Sequence, residues 1–572
     1  MKNNTKYIIV TGGVLSGLGK GVLSASIGSI LTMMGFKITI KKLDPYLNVD
    51  PGTLNPVEHG EVFVTDDGTE TDLDLGYYER FNGIITNSSN STSSGKIFKN
   101  LLERERKGDF LGKTVQMIPH FTNEIKNFIY KDSIEYDIII CEIGGSIGDI
   151  EAMPFYESLR QLKCEVGNSN FLLVHLTYIV YYEISNELKT KPSQNAIREL
   201  MKTGLIPDVL ACRHERKMDD STINKLKQFC SHILDIPNIE SIYKLPLMLY
   251  NQNLPIFLAE HFDLKQEIII DTSKWTYIEN KINSTLKTNK EPLVVAIVGK
   301  YIQLHDAYCS LLESIYHASI QLNISIKYEW IDCRNIETNN NETKRKEILD
   351  SKLNNVDCLI IPGGFGKIGI ETIIDTIHLA RIKNIPTFGI CLGLQAMVIE
   401  WIRNEVGIKD AISEEWIELD NLQHKQNKTV VIGLLKDQVS KQLGGTMNLG
   451  SYDINISKNS KTYKIYGNKD IVKERHRHRY EVLPEYKSCL ENSGMIISGN
   501  RNQNNIIEII ELCSEKNRWY IGCQFHPEYK SSIFEPHPLI LDWLKTALLF
   551  KKRYEIAIIN NGRSPINFCN FL

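Results

Sequence analysis

Residues 7–34 decide the fold of the first half of the chain and read YIIVTGGVLSGLGKGVLSASIGSILTMM. The stretch opens with a short apolar run, Tyr7 to Val10, passes through a glycine-rich loop, and continues from about Val22 to Met34 with a helix-like pattern. A glycine-rich turn that ends in Lys at a helix N-terminus lets backbone N–H groups and an ammonium group surround phosphates. The pattern therefore predicts a phosphate-binding strand, loop and helix.

The loop departs from the strict G-x-x-x-x-G-K-[ST] pattern at two positions. Val14 stands where the first Gly belongs, and Gly21 follows Lys20 where Ser or Thr is usual. Since that hydroxyl normally holds a magnesium ion, the metal must be held by other residues. A glycine-rich turn that binds no ligand is the alternative at this stage.

Apolar runs rich in Val and Ile recur along the whole chain, bounded by Gly and Pro and separated by helix-length segments. Such runs are typical of strands buried on both faces of a parallel sheet. They are Tyr7 to Val10, Ile138 to Cys141, Phe171 to His175, Leu293 to Val298, Cys358 to Ile361 and Thr387 to Ile390. The predicted fold class is α/β, with two α/β domains.

Length and composition limit the classes to which the protein can belong. A chain of 572 residues exceeds one hydrophobic core and predicts several domains. The net charge of -3 provides no global field for nucleic acid or lipid, and no apolar run approaches the roughly 20 residues of a membrane span. Twelve cysteines without a Cys-x-x-Cys pair indicate a reducing compartment. We expect a soluble, cytoplasmic protein without nucleic-acid or membrane partners.

Three polar stretches interrupt the α/β pattern. Residues 271–292 are lysine-rich and predict a linker, residues 82–96 are interpreted as a mobile loop, and residues 334–346 as a surface insertion.

A dense run of carboxylates follows the phosphate-binding pattern. Residues 42–53 read KLDPYLNVDPGT, residues 59–64 read HGEVFV, and residues 66–76 read DDGTETDLDLG. A solvated acidic surface is the simple alternative, but Gly and apolar residues are interleaved with the acids. A divalent cation on a bound triphosphate is the preferred interpretation.

The second half of the chain contains a candidate nucleophile with its base. Residues 389–395 read GICLGLQ, which places Cys391 on a strand-to-helix turn beside backbone N–H groups that favour a thiolate and an oxyanion. Residues 524–528 read QFHPE, so His526 can accept the thiol proton while Glu528 orients its ring. A buried cysteine at a strand end is the alternative if Cys391 is taken alone.

These motifs resemble two known families. The loop GGVLSGLGKG with KLDPYLNVDPGT, HGEVFV and ETDLDLG resembles the N-terminal amidoligase domain of the CTP synthase family, and GICLGLQ with QFHPE resembles class I glutamine amidotransferases. The resemblance implies a P-loop-type parallel-sheet synthetase domain over residues 1–268 and a linker over 269–292. It further implies a class I glutamine amidotransferase domain over 293–555 and a C-terminal tail over 556–572.

The resemblance also implies roles for matching positions in the first domain. The residues implied to bind ATP are Gly17, Leu18, Gly19, Lys20, Gly21, Val22 and Asp74. Asp74 and Glu142 are implied to bind Mg²⁺. The residues implied to bind UTP, or CTP as an inhibitor, are Ser16, Asp149, Ile150, Glu151, Lys189, Thr190, Lys191, Pro192, Ser193, Gln194 and Lys225. Three lysines can neutralise a triphosphate, which agrees with these roles.

In the second domain the implied catalytic residues are Cys391, His526 and Glu528. The residues implied to bind glutamine are Gly364, Leu392, Gly393, Leu394, Gln395, Glu415 and Arg479. Arg479 lies in residues 474–481, ERHRHRYE, which could be taken for a nucleic-acid patch. The run is short and lacks interleaved aromatic residues, so we do not favour that interpretation.

The implied activity is the amination of UTP to CTP through a 4-phosphorylated UTP intermediate, with ATP and with ammonia from glutamine. GTP is implied as an allosteric activator, CTP as a feedback inhibitor, and the assembly as a homotetramer that can form filaments. One alternative keeps the architecture but takes a cobalamin or biotin precursor as acceptor. Another is a structural, filament-forming protein without activity, which predicts decay of a catalytic position. Those positions are intact: Lys20, Asp74, Glu142, Cys391, His526 and Glu528.

Overall fold

The computed structural model describes residues 5–264, 269–288, 290–302, 304–337, 342–418, 428–434, 447–501 and 506–561, without the side chains of residues 56, 57 and 552–561. The centre of the predicted insertion near Asn339 and the end of the predicted tail lie outside these residues. No described helix has both the length and the apolar character needed to cross a membrane.

The chain forms two compact units. The first contains Met1–Pro51 and Thr71–Asn280, and the second contains Gly52–Glu70 and Lys281–Leu572. Residues 52–70 therefore belong by their contacts to the second unit, although they precede most of the first in sequence. The domain boundaries expected from the sequence stay a prediction.

The first unit is built on a parallel sheet with helices around it. In spatial order its strands are His232–Pro237, Val209–His214, Phe171–Tyr182, Lys6–Gly12, Ile138–Ile143, Ile38–Asp44 and Ser91–Ser93. The short strand Glu187–Lys189 pairs antiparallel with the end of Phe171–Tyr182. The helices are Lys20–Met33, Asp74–Asn82, Ser94–Arg106, Thr122–Tyr130, Met153–Val166, Lys191–Lys202, Asp220–Lys227, Leu245–Asn251 and Leu254–His261.

The central strand Lys6–Gly12 shows why this sheet forms. It pairs in parallel with Ile138–Ile143 on one side and Phe171–Tyr182 on the other, so its residues are buried on both faces. Its apolar side chains suit that environment, and Gly12 ends the strand at the glycine-rich loop. Ligands of open α/β sheets bind at the carboxyl ends of the strands, where this loop lies.

The second unit has a larger mixed sheet and a smaller one. In spatial order the large sheet contains Ile326–Asp332, Leu293–Gly299, Cys358–Ile361, Thr387–Ile390, Tyr520–Cys523, Ile506–Glu511, Ile496–Arg501, Asn448–Ile456 and Ile471–His478. Strands up to Tyr520–Cys523 are parallel and the rest are antiparallel. The small sheet contains Ala411–Ser413, Thr429–Leu434 and Tyr480–Val482.

Helices pack around the two sheets of the second unit. They are Cys309–Leu322, Cys333–Glu337, Glu342–Leu353, Ile370–Ile382, Leu392–Trp401, Glu414–Glu418, Lys461–Ile465, Lys487–Asn492 and Pro538–Asn561. Residues 52–70 add the short helix Pro56–His59 and the strand Val62–Val64, and a further strand, Glu70–Asp72, begins at their end.

The predicted α/β class and every predicted strand are confirmed, and two polar stretches contain more regular structure than their composition indicates. Residues 82–96 contain the edge strand Ser91–Ser93, and buried Asn90 donates to the carbonyl of Ile40 at 2.8 Å, so this stretch is not a loose loop. The predicted linker contains the helix Ser273–Leu286, whose apolar side chains Trp275, Ile278 and Ile282 are buried.

Candidate functional site

The glycine-rich loop of the first unit turns through left-handed backbone conformations. Val14, Gly17 and Gly19 have φ angles of 80°, 68° and 93°, and Gly19 caps the helix that begins at Lys20. Glycine adopts such angles without strain, whereas a β-branched Val does not. The loop therefore turns tightly just before the N-terminus of the helix that begins at Lys20.

Lys20 reaches across this loop. Its Nζ donates a hydrogen bond to the carbonyl of Gly145 at 2.7 Å, and a Cβ on Gly12 would lie only 2.9 Å from its Cδ. Burial and the nearby Lys42 ammonium lower the pKa of Lys20. Arg213 steadies the loop from the other side, because its guanidinium donates to the carbonyl of Leu18 at 2.8 Å.

Gly21 explains the missing hydroxyl of the phosphate-binding pattern. A Cβ built on Gly21 would lie 2.0 Å from Oδ1 of Asp74, which is closer than any side chain permits. The Asp74 carboxylate therefore occupies the space that Ser or Thr fills in the usual pattern. Any residue larger than Gly at position 21 would displace that carboxylate.

Four carboxylates surround the buried ammonium of Lys42, and we call this group the carboxylate cluster. Lys42 Nζ contacts Asp74 and lies 2.9 Å from Glu142, 3.7 Å from Asp44 and 3.9 Å from Asp72. Burial alone would lower the pKa of Lys42, but the carboxylates outweigh burial and raise it well above its usual range. Four acids and one base leave the cluster with excess negative charge.

The cluster fits a divalent cation. Burial, with a contribution from the neighbouring carboxylates, raises the pKa of Asp44 to about 8 and also raises the pKa of Glu142, so the Lys42 ammonium alone does not offset the cost of burying these acids. Asp44 Oδ2 is buried without a hydrogen-bond partner in the described part of the chain. In the same part, no three His, Cys, Asp or Glu side chains converge as a complete metal site. Mg²⁺ commonly takes only one or two carboxylates and completes its shell with phosphates and water.

The residues expected to bind UTP fall into two groups at the same edge of the sheet. Ser16 is exposed in the glycine-rich loop. The N–H of Ile147 donates to the carbonyl of Gly12 at 2.9 Å, which holds residues 146–151 beside the loop. In that segment Asp149 accepts a hydrogen bond from the N–H of Ser146 at 2.7 Å, while Ile150 and Glu151 are exposed.

The second group starts at the strand Glu187–Lys189. Hydrogen bonding and charge from exposed Lys189, together with the charge of exposed Lys225, lower the pKa of Glu187, so these two cations share one region. Lys191 begins a helix and is exposed.

The rest of that helix start is fixed to the fold. Buried Ser193 donates to the carbonyl of Tyr178 at 2.7 Å, and Gln194 donates to the hydroxyl of Thr190 at 3.0 Å. Pro192 lies in the first turn, where it needs no N–H partner.

In the second unit, Cys391 sits on a strained turn between the strand Thr387–Ile390 and the helix Leu392–Trp401. Its φ and ψ are 54° and -103°, an unfavourable combination for a residue with a side chain. A Cβ on Gly393 would lie 2.3 Å from the carbonyl oxygen of Ile361, so the turn requires Gly there. This geometry presents the thiol at a helix N-terminus, as a nucleophile requires.

His526 and Glu528 form the expected partner pair. His526 Nδ1 lies 2.7 Å from Glu528 Oε1, both side chains are buried, and the N–H of His526 donates to the carbonyl of Arg475 at 2.8 Å. Burial opposes a charged imidazole, but Glu528 and Cys391 outweigh it and raise the pKa of His526 to about 10. Among the described residues the Cys391 sulfur is the group that His526 Nε2 faces, and hydrogen bonding to that sulfur is one cause of the raised pKa of His526, so this nitrogen can hold the thiol proton.

A cavity of about 70 Å³ lies over these residues, and Cys391, His526 and Glu528 all line it. Gly363 forms part of its wall: a Cβ there would lie 2.7 Å from His526 Cε1 and 3.5 Å from Cys391 Cβ. The thiol, the imidazole and the loop 362–366 therefore meet at one point. Only Gly at position 363 leaves the space between them open.

Some of the residues expected to bind glutamine lie at the cavity, and others lie behind the thiol. Gly364 lines the cavity, and a Cβ on it would lie 3.3 Å from the side chain of Leu392. Glu415 accepts a hydrogen bond from the N–H of Gly366 at 2.7 Å, which ties it to the same loop. Gly393 and Leu394 are buried in the helix behind the thiol.

The two remaining positions, Gln395 and Arg479, stand further back. The Gln395 side chain is buried and donates to the carbonyl of Tyr480 at 2.8 Å. Arg479 is half-buried between two strands, whereas Arg477 lines the cavity.

Several residues of both sites were not singled out from the sequence. Lys42 is adjacent to another lysine, and nothing in its spacing places it among acids. Arg477 accompanies Arg475 and Arg479 in an alternating run, which indicates one face of a strand but does not distinguish its members. Gly363 precedes Gly364 and Gln524 begins the motif QFHPE, so their position beside recognised residues is the only signal that the sequence offers for them.

The comparisons with known proteins agree with this geometry. The profile of the family "CTP synthase N-terminus" matches residues 6–264, and that of "Glutamine amidotransferase class-I" matches residues 303–545. The chain is 46% identical to a CTP synthase from Hydrogenobaculum sp. (strain Y04AAS1), with 96% of this chain and 99% of that protein covered. It is 42% identical to the CTP synthase of Aquifex aeolicus, with the same coverage of both chains.

Among solved structures, the glutaminase domain of Trypanosoma brucei CTPS with bound acivicin is 33% identical over its matched part. That match covers 45% of this chain and 94% of the other, with a TM-score of 0.40.

Proposed function

We propose, from the premise that this chain belongs to the CTP synthase family, that it converts UTP to CTP with ATP and glutamine. Its second unit releases ammonia from glutamine, and its first unit phosphorylates UTP and replaces the phosphate with that ammonia. The observation that supports this most directly is the buried Cys391, His526 and Glu528 constellation in a chain that also contains a phosphate loop.

The glutamine step follows from the charges around Cys391. His526 Nε2 accepts the thiol proton, and the sulfur attacks the side-chain amide carbon of glutamine. The N–H groups of Leu392 and Gly364 stabilise the negative oxygen of the tetrahedral intermediate; this role is supported by Leu392 following Cys391 at the start of the helix and by Gly364 lining the same cavity as the thiol. His526 then returns the proton to the leaving nitrogen, ammonia departs, and water hydrolyses the remaining thioester.

At the first unit, Gly17, Leu18, Gly19, Gly21 and Val22 hold the phosphates of ATP through their backbone N–H groups. Lys20 adds a positive charge that stabilises the transferring phosphoryl group. Asp74 and Glu142 hold Mg²⁺. An ion held there would supply positive charge to offset that of the ATP phosphates.

UTP binds opposite, with its triphosphate held by Lys189, Lys191 and Lys225. Ser16, Thr190, Pro192, Ser193 and Gln194 complete that region, and Asp149, Ile150 and Glu151 lie towards the base. CTP shares the triphosphate and the ribose, so the same lysines bind it and it inhibits in competition with UTP. GTP acts as an activator and the chain assembles as a homotetramer that can form filaments; family membership alone supports these two statements.

The test is direct. Purified protein is mixed with UTP, ATP, Mg²⁺ and glutamine, and CTP is measured by chromatography with and without GTP. We expect CTP in both cases, with a faster rate when GTP is present. No CTP under either condition, in a folded preparation, would contradict the proposal.

A second measurement tests the shared triphosphate site. Lys191→Ala should weaken both UTP use and CTP inhibition about ten-fold or more, because each charge-assisted phosphate contact contributes on the order of 1.5 to 3 kcal/mol. Lys202→Ala, at the far end of the same helix, is the matched control. A noncompetitive pattern for CTP, or a normal UTP dependence in Lys191→Ala, contradicts the shared site.

A further inference from the structure

A side-chain amide faces the sulfur of Cys391 from the side of the protein core. Gln524 Nε2 lies 3.7 Å from Cys391 Sγ, and both residues are buried. Gln524 is two residues before His526 on the segment that follows the strand Tyr520–Cys523. Its backbone N–H donates to the carbonyl of Glu508 at 2.9 Å, which fixes where its side chain begins.

The orientation of this amide is determined by a chain of hydrogen bonds. Gln395 Nε2 lies 2.8 Å from the carbonyl oxygen of Tyr480, which can only accept, so Gln395 must present its nitrogen there. The same nitrogen lies 3.3 Å from Gln524 Oε1 and donates to it. Gln524 must then turn its own nitrogen, with its N–H groups, towards the sulfur.

The sulfur needs a donor only after it loses its proton. In the thiol state, Cys391 can donate to the carbonyl of Arg477, which lies 3.7 Å from Sγ. When the S–H bond breaks, the proton moves to His526 Nε2 and the electron pair stays on sulfur. The Arg477 carbonyl then faces an anion and repels it, whereas an N–H group of Gln524 attracts it.

We propose that Gln524 donates a hydrogen bond to the Cys391 thiolate and that Gln395 orients it for this purpose. Gln524 is thereby a catalytic residue, since it touches the reacting sulfur. Gln395 is a positioning residue whose side chain acts through Gln524. This inference rests on the proposed function of Cys391 as the nucleophile, and it assigns the Gln395 side chain a role behind the thiol.

The experiment measures the pH dependence of Cys391 alkylation by iodoacetamide in the full-length protein. Peptide mass spectrometry reports modification at Cys391 alone, so exposed Cys164 does not interfere. The variants are Gln524→Met, which removes the donor at similar volume, and Gln524→Glu, which keeps the shape but places acceptor oxygens near sulfur. Gln321→Met, on the exposed face of the helix Cys309–Leu322, is the matched control.

We expect the pH of half-maximal alkylation to rise by about one to two units in Gln524→Met and by more in Gln524→Glu. Gln395→Met should give a smaller rise, because Gln524 keeps its N–H groups but loses their fixed direction. Gln321→Met should superimpose on the unsubstituted protein. A purely structural role for Gln524 would reduce the folded fraction without moving the half-point.

An unchanged half-point in folded Gln524→Met, or in isosteric Gln524→Glu if the Met variant does not fold, overturns the inference. Alkylation requires neither UTP nor glutamine, so its outcome is separate from that of the proposed function. A shifted half-point in a protein that makes no CTP would support the hydrogen bond and contradict only the proposed reaction.

Discussion

The two sites of the molecule stabilise charge in different ways. Around Lys42, four carboxylates face one ammonium in a buried space, and burial together with the neighbouring carboxylates raises the pKa of Asp44 to about 8 against the opposing charge of Lys42. Around Cys391, the backbone is already strained into position and His526 is paired with Glu528. The first site needs added cations and phosphates to balance it, whereas the second is assembled before substrate arrives.

This difference predicts which changes affect each site. The site around Cys391, which we call the preformed site, depends on its shape and on single proton-transfer groups. Loss of one atom or gain of one methyl group is therefore enough to damage it. The carboxylate cluster around Lys42, which we call the unbalanced site, depends on the number of its charges and on the ion that completes it. The following predictions test that distinction from the largest expected effect to the smallest.

Cys391→Ala should separate the two sites most clearly. We expect glutamine-dependent CTP formation to fall by at least about 10³-fold, because no other group replaces the thiolate, while ammonium chloride still supports CTP formation. Rates with glutamine and with ammonia are compared in the same preparation. Equal losses with both nitrogen sources would falsify the separate roles of the two units.

Two glycines offer a matched pair of smaller changes. Gly21→Ala places a Cβ 2.0 Å from Asp74 Oδ1, and Gly363→Ala places one 2.7 Å from His526 Cε1. We expect the first to reduce CTP formation from both nitrogen sources by about 10²-fold or more, since it displaces a metal-binding carboxylate. The second should reduce only the glutamine-dependent rate, by a similar factor.

Each glycine variant is the control for the other. Glutamine hydrolysis should persist in Gly21→Ala, and ammonia-dependent synthesis should persist in Gly363→Ala. If either variant loses both partial activities while its melting profile is unchanged, the two sites are less independent than we infer.

Metal dependence tests the unbalanced site directly. Asp74→Asn removes one negative charge from the cluster, so we expect the Mg²⁺ concentration for half-maximal CTP formation to rise by about 10- to 100-fold. Mg²⁺ should also raise the melting temperature of the unsubstituted protein more than that of Asp74→Asn, measured without nucleotide. Glu79→Gln, on the same helix but outside the cluster, is the control. Identical Mg²⁺ responses in all three proteins would contradict the metal assignment.

The pH dependence of stability tests the preformed site. The pKa of His526 is raised from 6.5 to about 10 in the folded protein, so its protonated form stabilises the fold fully below about pH 6.5. That stabilisation is lost as the pH rises through about 10. We expect the unsubstituted protein to lose more stability than Glu528→Gln between pH 6.5 and 10, measured by denaturant unfolding of the second unit. Parallel curves would show that Glu528 does not raise the pKa of His526.

Much of the fold followed from the sequence because buried parallel strands are nearly continuous apolar runs. The strands Thr387–Ile390 and Cys358–Ile361 agree residue for residue with apolar runs in the sequence. The Asn and Ser side chains of residues 82–96 are typical of a loop, while in the fold the Asn90 amide donates to the hydroxyl of Thr39 and the carbonyl of Ile40 on the neighbouring strand. Polar composition could not reveal that partner.

The sites were predictable to the extent that their residues are adjacent in sequence. Cys391 with Leu392, and His526 with Glu528, are short-range patterns that the fold reproduces. Lys42 meets Glu142 across 100 positions of sequence, and only the strand pairing of Ile38–Asp44 with Ile138–Ile143 brings them together. Contacts of this kind depend on the register of the sheet, which apolar runs do not define.

Val14 provides the smallest and most specific test, because it combines features of both sites. It belongs to the phosphate loop of the unbalanced site, yet its φ of 80° is backbone strain of the kind found at Cys391. Such strain costs on the order of 1 to 3 kcal/mol, and Gly would relieve it while adding about 0.5 to 1 kcal/mol of chain entropy to the unfolded state. Val14→Gly should therefore change the free energy of unfolding of the first unit by only about 0 to 2.5 kcal/mol, towards greater stability. If the strain serves to preorganise the loop, the KM for ATP should rise a few-fold at unchanged kcat, since a looser loop must be ordered by the nucleotide. Steady-state kinetics at varied ATP and denaturant unfolding of the same samples measure both quantities. A more stable enzyme with an unchanged KM would mean that Val14 stores strain without any benefit to nucleotide binding.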